Sequence, residues 1–198
     1  MLAELLATPG VREESVLRSR FGFMAFHGSA LEEMTDVIAA AAAQRCGASY
    51  YGLLQPRDLN WHIPSHKLSP TESPVMAEFL EHVDIVVTVH GYGRQTLFTT
   101  LLLGGTNRAL AEHLAPFLRQ RLPAYDIRID LDTIPSDLRG QHPLNPVNLP
   151  RQQGVQIELP PRVRGSSPLW WDWEGPGHTP HTEALIAGLA DAATAWPL

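Results

Sequence analysis

The sequence predicts an α/β fold with an open, mixed and largely parallel central sheet and helices on both faces. Two observations carry this. Short apolar runs of strand character alternate along the chain with segments whose apolar residues recur at helical spacing. Three of the apolar runs also close on a polar residue, His27, His90 or Glu158. Open α/β sheets bind ligands beyond the carboxyl ends of their strands, so three such ends point to one crevice.

The elements follow in order. FGFMAF (21–26) reads as a buried strand. LEEMTDVIAAAAAQR (31–45) reads as a helix, with Leu31, Met34, Ile38 and Ala42 along one stripe. SYYGLL (49–54) is a short aromatic strand. SPVMAEFLEHV (73–83) is a helix with Ser73 at the N-cap and Pro74 at N1. DIVVTVHGYG (84–93) is the clearest strand, and TLFTTLLLGG (96–105) another that glycines close. NRALAEHLAPFLRQRL (107–122) is helical, with a bend expected at Pro116. YDIRIDLD (125–132) alternates as a half-exposed strand does. GVQIELP (154–160) is a further strand, and TEALIAGLADAATA (182–195) a terminal helix. There is no internal repeat and no linker composition, so residues 1–198 read as one domain.

Composition narrows the function classes. Hydrophobic residues make up 44% and charged residues 18% of the 198, as in an ordinary globular chain. The formal net charge of −6 argues against a nucleic-acid partner and against a polyanion drawn in by long-range attraction. The single cysteine, Cys46, makes no internal disulfide and no cysteine-type zinc site, and reads as a small core residue. The N-terminus lacks the basic region of a signal peptide, and no run reaches the ~18 apolar residues of a membrane span. A cytoplasmic protein without membrane association is the expectation.

The strand ends carry the chemistry. A catalytic zinc takes three His or Asp/Glu ligands and keeps one position open for water. His27 at a strand end, with a carboxylate in the helical turn that follows, offers two ligands from one corner, and Gly28 allows the turn to be sharp. His90, in TVHGYG, repeats the pattern of apolar strand, His and Gly. A carboxylate that is not a ligand must then take a proton from water. Glu158 suits that role, because Val155, Ile157 and Leu159 take one face of its strand and leave Gln156 and Glu158 on the other. Taken singly, His27 and His90 read as core histidines and Glu158 as an ion-paired structural carboxylate. Taken together, their types and positions fit a metal crevice. Helical geometry does not choose between Glu32 and Glu33, which flank the apolar stripe alike.

The ordered pieces FHGSALE, WHIPSH, TVHGYG, GGTN, NPVNL and GVQIELP resemble the poly-gamma-glutamate hydrolase family, phage-type enzymes that degrade bacterial poly-γ-glutamate. The likeness runs from about Phe21 to Leu159. It implies a fold like that of zinc metallocarboxypeptidases and a zinc ion held by His27, Glu32 and His90, with Glu158 as the catalytic carboxylate. It is the resemblance that selects Glu32 over Glu33. The substrate it implies is a polyglutamate, a peptide or a related small amide. The sequence departs from ordinary carboxypeptidases in spacing its first pair His-x-x-x-x-Glu, and it lacks their arginine pair in the usual order. Ser29-Ala30 also stands where the family often has more glycine. An N-deacylase or exopeptidase acting on another small amide is the nearest alternative, and a non-catalytic binding module that kept the fold is the alternative outside enzymes.

Six residues are candidates for substrate contact: His66, Arg94, Asn107, Arg108, Asn145 and Asn148. His62 and His66 in WHIPSH have helical ligand spacing, but Pro64 between them makes the segment a loop near the cleft. Arg94 suits a surface position better than a substrate contact, and the two asparagines of NPVNL equally suit Asx-turns. His178 and His181 are expected at the surface, ahead of a helix that Thr179 and Pro180 cap. Trp170, Trp171 and Trp173 lie in a Pro/Gly-bounded loop, whose default role is packing.

Overall fold

The computed structural model describes residues 1–197. A seven-stranded sheet is built from β1 (Arg12–Val16), β2 (Phe21–Ser29), β3 (Ser49–Gln55), β4 (Ile85–Gly91), β5 (Thr100–Leu103), β6 (Asp126–Arg128) and β7 (Gly154–Leu159). The spatial order is β1-β3-β2-β4-β7-β5-β6. The four central strands β3, β2, β4 and β7 are parallel, whereas β1 is antiparallel to β3 and β5 to β7. The predicted mixed, largely parallel sheet is therefore what the chain forms.

The helices are α1 (Leu2–Leu6), α2 (Thr35–Cys46), α3 (Pro74–His82), α4 (Arg108–Arg121), α5 (Pro161–Arg164) and α6 (Pro180–Ala195). Two apolar layers hold them to the sheet. Phe21, Phe23 and Ala25 of β2 share one layer with Ile38 of α2, Leu114 of α4 and Leu189 of α6. Met24 and Phe26 of the same strand pack on the other face with Leu2 and Leu5 of α1 and Met76 and Phe79 of α3. This alternation is the period-2 pattern of a strand buried on both faces. Ser73 caps α3 as predicted, accepting the Met76 N–H at 3.0 Å.

Several boundaries differ from the sequence reading. The helix expected from Leu31 begins at Thr35, because Ser29 and Met34 both adopt left-handed backbone (φ 64° and 74°) and break the run. The strand expected at 96–105 is confined to Thr100–Leu103, after a 3-10 turn at Gln95–Leu97. Only Asp126–Arg128 of the next alternating segment pairs, before a 3-10 turn at Leu131–Thr133. α4 continues through Pro116. Neither α1 nor β1 is evident from sequence periodicity. Cys46 is half-buried against the core, with its thiol turned to the Ala42 carbonyl. His181 is no free surface group: its Nδ1 meets the Tyr125 hydroxyl at 2.6 Å and its ring packs on Trp170.

Candidate active site

The site lies where the sheet splits. β2 and β4 pair only from Phe21↔Ile85 to Met24↔Thr88 and then diverge, while β4 stays paired with β7 through Gly91↔Leu159. The chain runs from β2 to β3 on one side, then crosses to β4 on the other side of β2. This is the topological switch point at which open α/β sheets place ligands. A cleft of about 550 Å³ opens there, lined by the ends of β2, β4 and β7 together with the loops around residues 62–66 and 136–145.

A register shift between Ala25 and Gly28 inserts an extra residue into β2 relative to β3. Simple alternation puts residue 27 on the side of Phe23 and Ala25, in the apolar layer. The extra residue re-aims His27 into the cleft, a use of bulges that recurs beside active sites. Gly28 stays in the strand rather than making the turn. Its lack of a side chain makes room, since a Cβ there would lie 2.7 Å from Cβ of Asp36.

Glu32 sits in the turn between β2 and α2, not in the helix. Its N–H donates to the His27 carbonyl at 2.8 Å, and its own carbonyl accepts from the Thr35 hydroxyl at 2.7 Å. The carboxylate reaches between two imidazoles: Oε1 lies 2.8 Å from Nδ1 of His27 and Oε2 lies 3.3 Å from Nδ1 of His90. The Gly91 N–H also donates to Oε2, at 2.9 Å. The far nitrogen of His27, Nε2, lies 2.9 Å from the Ile63 carbonyl. That contact makes Nε2 a donor, and Nδ1 is the nitrogen turned toward Glu32. Glu33 is exposed, and its carbonyl accepts from Nη1 of Arg164 at 2.5 Å.

Charge sets the protonation states. Burial alone disfavours the Glu32 carboxylate, but His90 and His27 outweigh it and hold the group well below the usual carboxylate range. Burial also opposes a charged His27, yet the charge and hydrogen bond of Glu32 raise it overall. Glu158 is 4% exposed, and its burial pushes the carboxyl up to about 7, with His90 opposing and Glu32 adding to the rise. It lies directly across the β4–β7 pair from His90, and Gln156 donates to its Oε1 at 2.8 Å.

The donor set suits a metal. Neighbouring ligand atoms on a tetrahedral zinc with bonds of about 2.0–2.1 Å lie roughly 3.3 Å apart, and the Glu32 oxygens lie 2.8 Å from Nδ1 of His27 and 3.3 Å from Nδ1 of His90. His62, which the sequence reading set aside, also enters. Its ring packs on that of His27 with centroids 4.6 Å apart, and ligand atoms of His27, Glu32 and His62 lie within 4.8 Å of one another. Loop geometry brings it there, and no helical period signals this.

The six expected substrate contacts separate. His66 and Asn145 line the cleft, and His66 stacks on His142 with ring centroids 4.5 Å apart. Arg94 lies outside the lining but pairs with Asp137, which is part of it. Asn107, Arg108 and Asn148 are committed to the fold. Asn107 caps α4 through Leu110, Arg108 donates to the carbonyls of Leu103, Gly104, Gly105 and Ile129, and Asn148 ties Thr106 to the carbonyls of Gly140 and His142. None of Trp170, Trp171 and Trp173 lines the cleft. Arg164, unremarked in the sequence, is a buried cation behind the site, packed where a Cβ on Gly91 would come within 2.8 Å of its guanidinium.

The family model for poly-gamma-glutamate hydrolase matches residues 3–167, most of the chain. The chain belongs to the poly-gamma-glutamate hydrolase family. Membership makes this poly-gamma-glutamate hydrolase relative a hydrolase of amide bonds. The structure of a bacteriophage poly-gamma-glutamate hydrolase is similar over 93% of this chain and 89% of that one, with 18% identity and a TM-score of 0.74. The zinc-free apo form of YNDL gives the same identity and TM-score over 92% of this chain and 88% of that one. A protein described as a carboxypeptidase of Burkholderia mallei aligns over 98% of this chain and 66% of its own, at 10% identity and a TM-score of 0.53. At these identities the likeness is one of fold, and the fold is metallocarboxypeptidase-like. No curated protein sequence matches the chain significantly.

Proposed function

We propose that this member of the family is a zinc-dependent amidohydrolase that cuts amide bonds in a glutamate-containing polymer or peptide. His27, Glu32 and His90 would hold the metal, and Glu158 would act as the general base. One observation carries the reading: the Glu32 carboxylate spans Nδ1 of His27 and Nδ1 of His90, one oxygen to each, with the buried Glu158 carboxyl across the strand pair from His90. The similarity to a bacteriophage poly-gamma-glutamate hydrolase and to a protein described as zinc-free supports the substrate and the metal.

A zinc ion held by His27, Glu32 and His90 would supply Lewis-acid polarisation of the scissile carbonyl and would lower the pKa of water toward about 7. The chain does the rest. Glu158 accepts the proton of the attacking water and returns it to the leaving amine. His66, on the cleft wall, meets the substrate beyond the scissile bond, and Arg94 contributes from the rim through Asp137.

Metal analysis together with hydrolysis of poly-γ-glutamate tests this. The wild type should carry close to one zinc. His27→Ala and His90→Ala should lose it. Glu158→Gln should keep it while kcat falls about 10²–10⁴-fold. His62→Ala decides the competing ligand set: if it loses metal while His90→Ala retains it, the assignment of His90 is wrong.

A further inference from the structure

Glu158 does not stand alone on its strand, and its neighbours form a chain of amides whose direction is determined from one end. The Val147 N–H can only donate, and it donates to Oδ1 of Asn145 at 3.3 Å. That leaves Nδ2 of Asn145 to donate, and it meets Oε1 of Gln156 at 2.9 Å. Gln156 is thereby turned so that its Nε2 donates to Oε1 of Glu158 at 2.8 Å. An amide is a donor at one end and an acceptor at the other, so each residue sets the orientation of the next. All three side chains are at least 95% buried. Gly140 closes over the middle of the chain with φ 63°, where a Cβ would come within 2.7 Å of the Gln156 side chain. Oε2 of Glu158 makes no hydrogen bond among the described residues, and Glu158 is part of the cleft lining.

We propose that Asn145 and Gln156 are a positioning relay for Glu158, holding Oε1 and leaving Oε2 to meet the water. The inference rests on the reading of Glu158 as general base. It also separates Asn145, which the sequence presents as a turn former or a substrate contact, from the substrate itself. A donor on the carboxylate favours its ionised form and its orientation, and burial alone provides neither.

Asn145→Asp and Asn145→Ala separate a relay from a structural role. The carboxylate introduced by Asn145→Asp still accepts from the Val147 N–H, so the cap survives, while burying its charge lowers thermal stability. Asn145→Ala loses the cap and melts lower. That carboxylate cannot donate, so Gln156 must turn over and present its carbonyl oxygen to Glu158. On γ-glutamyl oligomers, kcat should fall about tenfold in Asn145→Ala and about a hundredfold in Asn145→Asp, with KM unchanged. Gln156→Met should match the loss of Asn145→Ala, and in a Glu158→Gln background Asn145→Asp should add nothing. A full extra loss in the Glu158→Gln background overturns the relay. NMR of the Gln156 side-chain amide decides the matter even if γ-glutamyl substrates prove not to be cleaved, which would sink the functional reading instead. The wild-type amide should be shifted downfield and slow to exchange, and Asn145→Asp should abolish both; an unchanged signal rejects the relay.

Discussion

Glu32 and Glu33 are adjacent in sequence and opposite in circumstance. The first is wedged between two imidazoles and a backbone N–H, and the second offers its carboxylate to solvent. Neutralising them should therefore have unequal effects. On the proposed ligand assignment, Glu32→Gln is expected to weaken zinc binding by about a hundredfold or more, because it removes the carboxylate charge between two buried imidazoles. Glu33→Gln should change zinc affinity by less than about threefold, because an exposed carboxylate outside the contact shell acts only through screened charge. Competition against a chromogenic chelator measures both. Equal losses would mean that the carboxylate assignment is wrong.

Packing between elements sets how far the scaffold yields around the site. Gly22 of β2 faces α3 so closely that a Cβ would fall 2.7 Å from Cζ of Phe79 and 2.9 Å from Cγ1 of Val83. Both neighbours are fully packed, so neither has room to withdraw. Gly22→Ala is expected to cost about 1–3 kcal/mol through overpacking, a fall of several degrees in Tm by calorimetry. Zinc stoichiometry should be retained, since the strain is at the opposite end of β2 from His27. The same strand also shows where sequence reading stops. Its apolar alternation is plain, but the extra residue that re-aims His27 leaves no compositional mark. The left-handed backbone at Ser29 and Met34 is equally hidden, because neither residue type advertises it, so periodicity alone starts the helix too early.

At the scale of the whole molecule, protonation and metal act in opposite directions on stability. Without metal, Glu158 has a folded pKa of about 7, above its ordinary unfolded value, and His27 is also raised. A raised pKa contributes stability that is complete below the unfolded pKa and is lost as pH climbs through the folded one. Glu32 is lowered, so its contribution is complete above the ordinary carboxylate pKa and is lost only in stronger acid. Metal-free protein should thus lose stability as pH rises from about 4.5 through 7. Zinc requires deprotonated imidazoles, so its stabilisation should grow over the same interval, reaching about 2.7 kcal/mol at a free concentration of 100 times Kd. Thermal melts with zinc and with EDTA across that range should cross or converge at the acid end. A gap that widens toward acid would contradict this balance. Because a nearby cation favours a carboxylate, the acid limb of kcat/KM should fall below about 7 in the zinc form.

The sequence by itself determined the layered α/β class, most strands, the cap of α3 and the strand-end positions of His27, His90 and Glu158. These are local properties: periodicity, turn chemistry and the place of a polar residue in an apolar run. Its likeness to a family also singled out Glu32. Only the tertiary structure decided which faces those residues look onto. The bulge that turns His27, the loop that brings His62 beside it and the burial of Arg164 depend on contacts between segments far apart in the chain. So does the sorting of Asn107, Arg108 and Asn148 into the scaffold and of Asn145 into the cleft wall. Side chains of one type look alike in sequence, and what distinguishes them is which hydrogen-bond partners the fold leaves within reach.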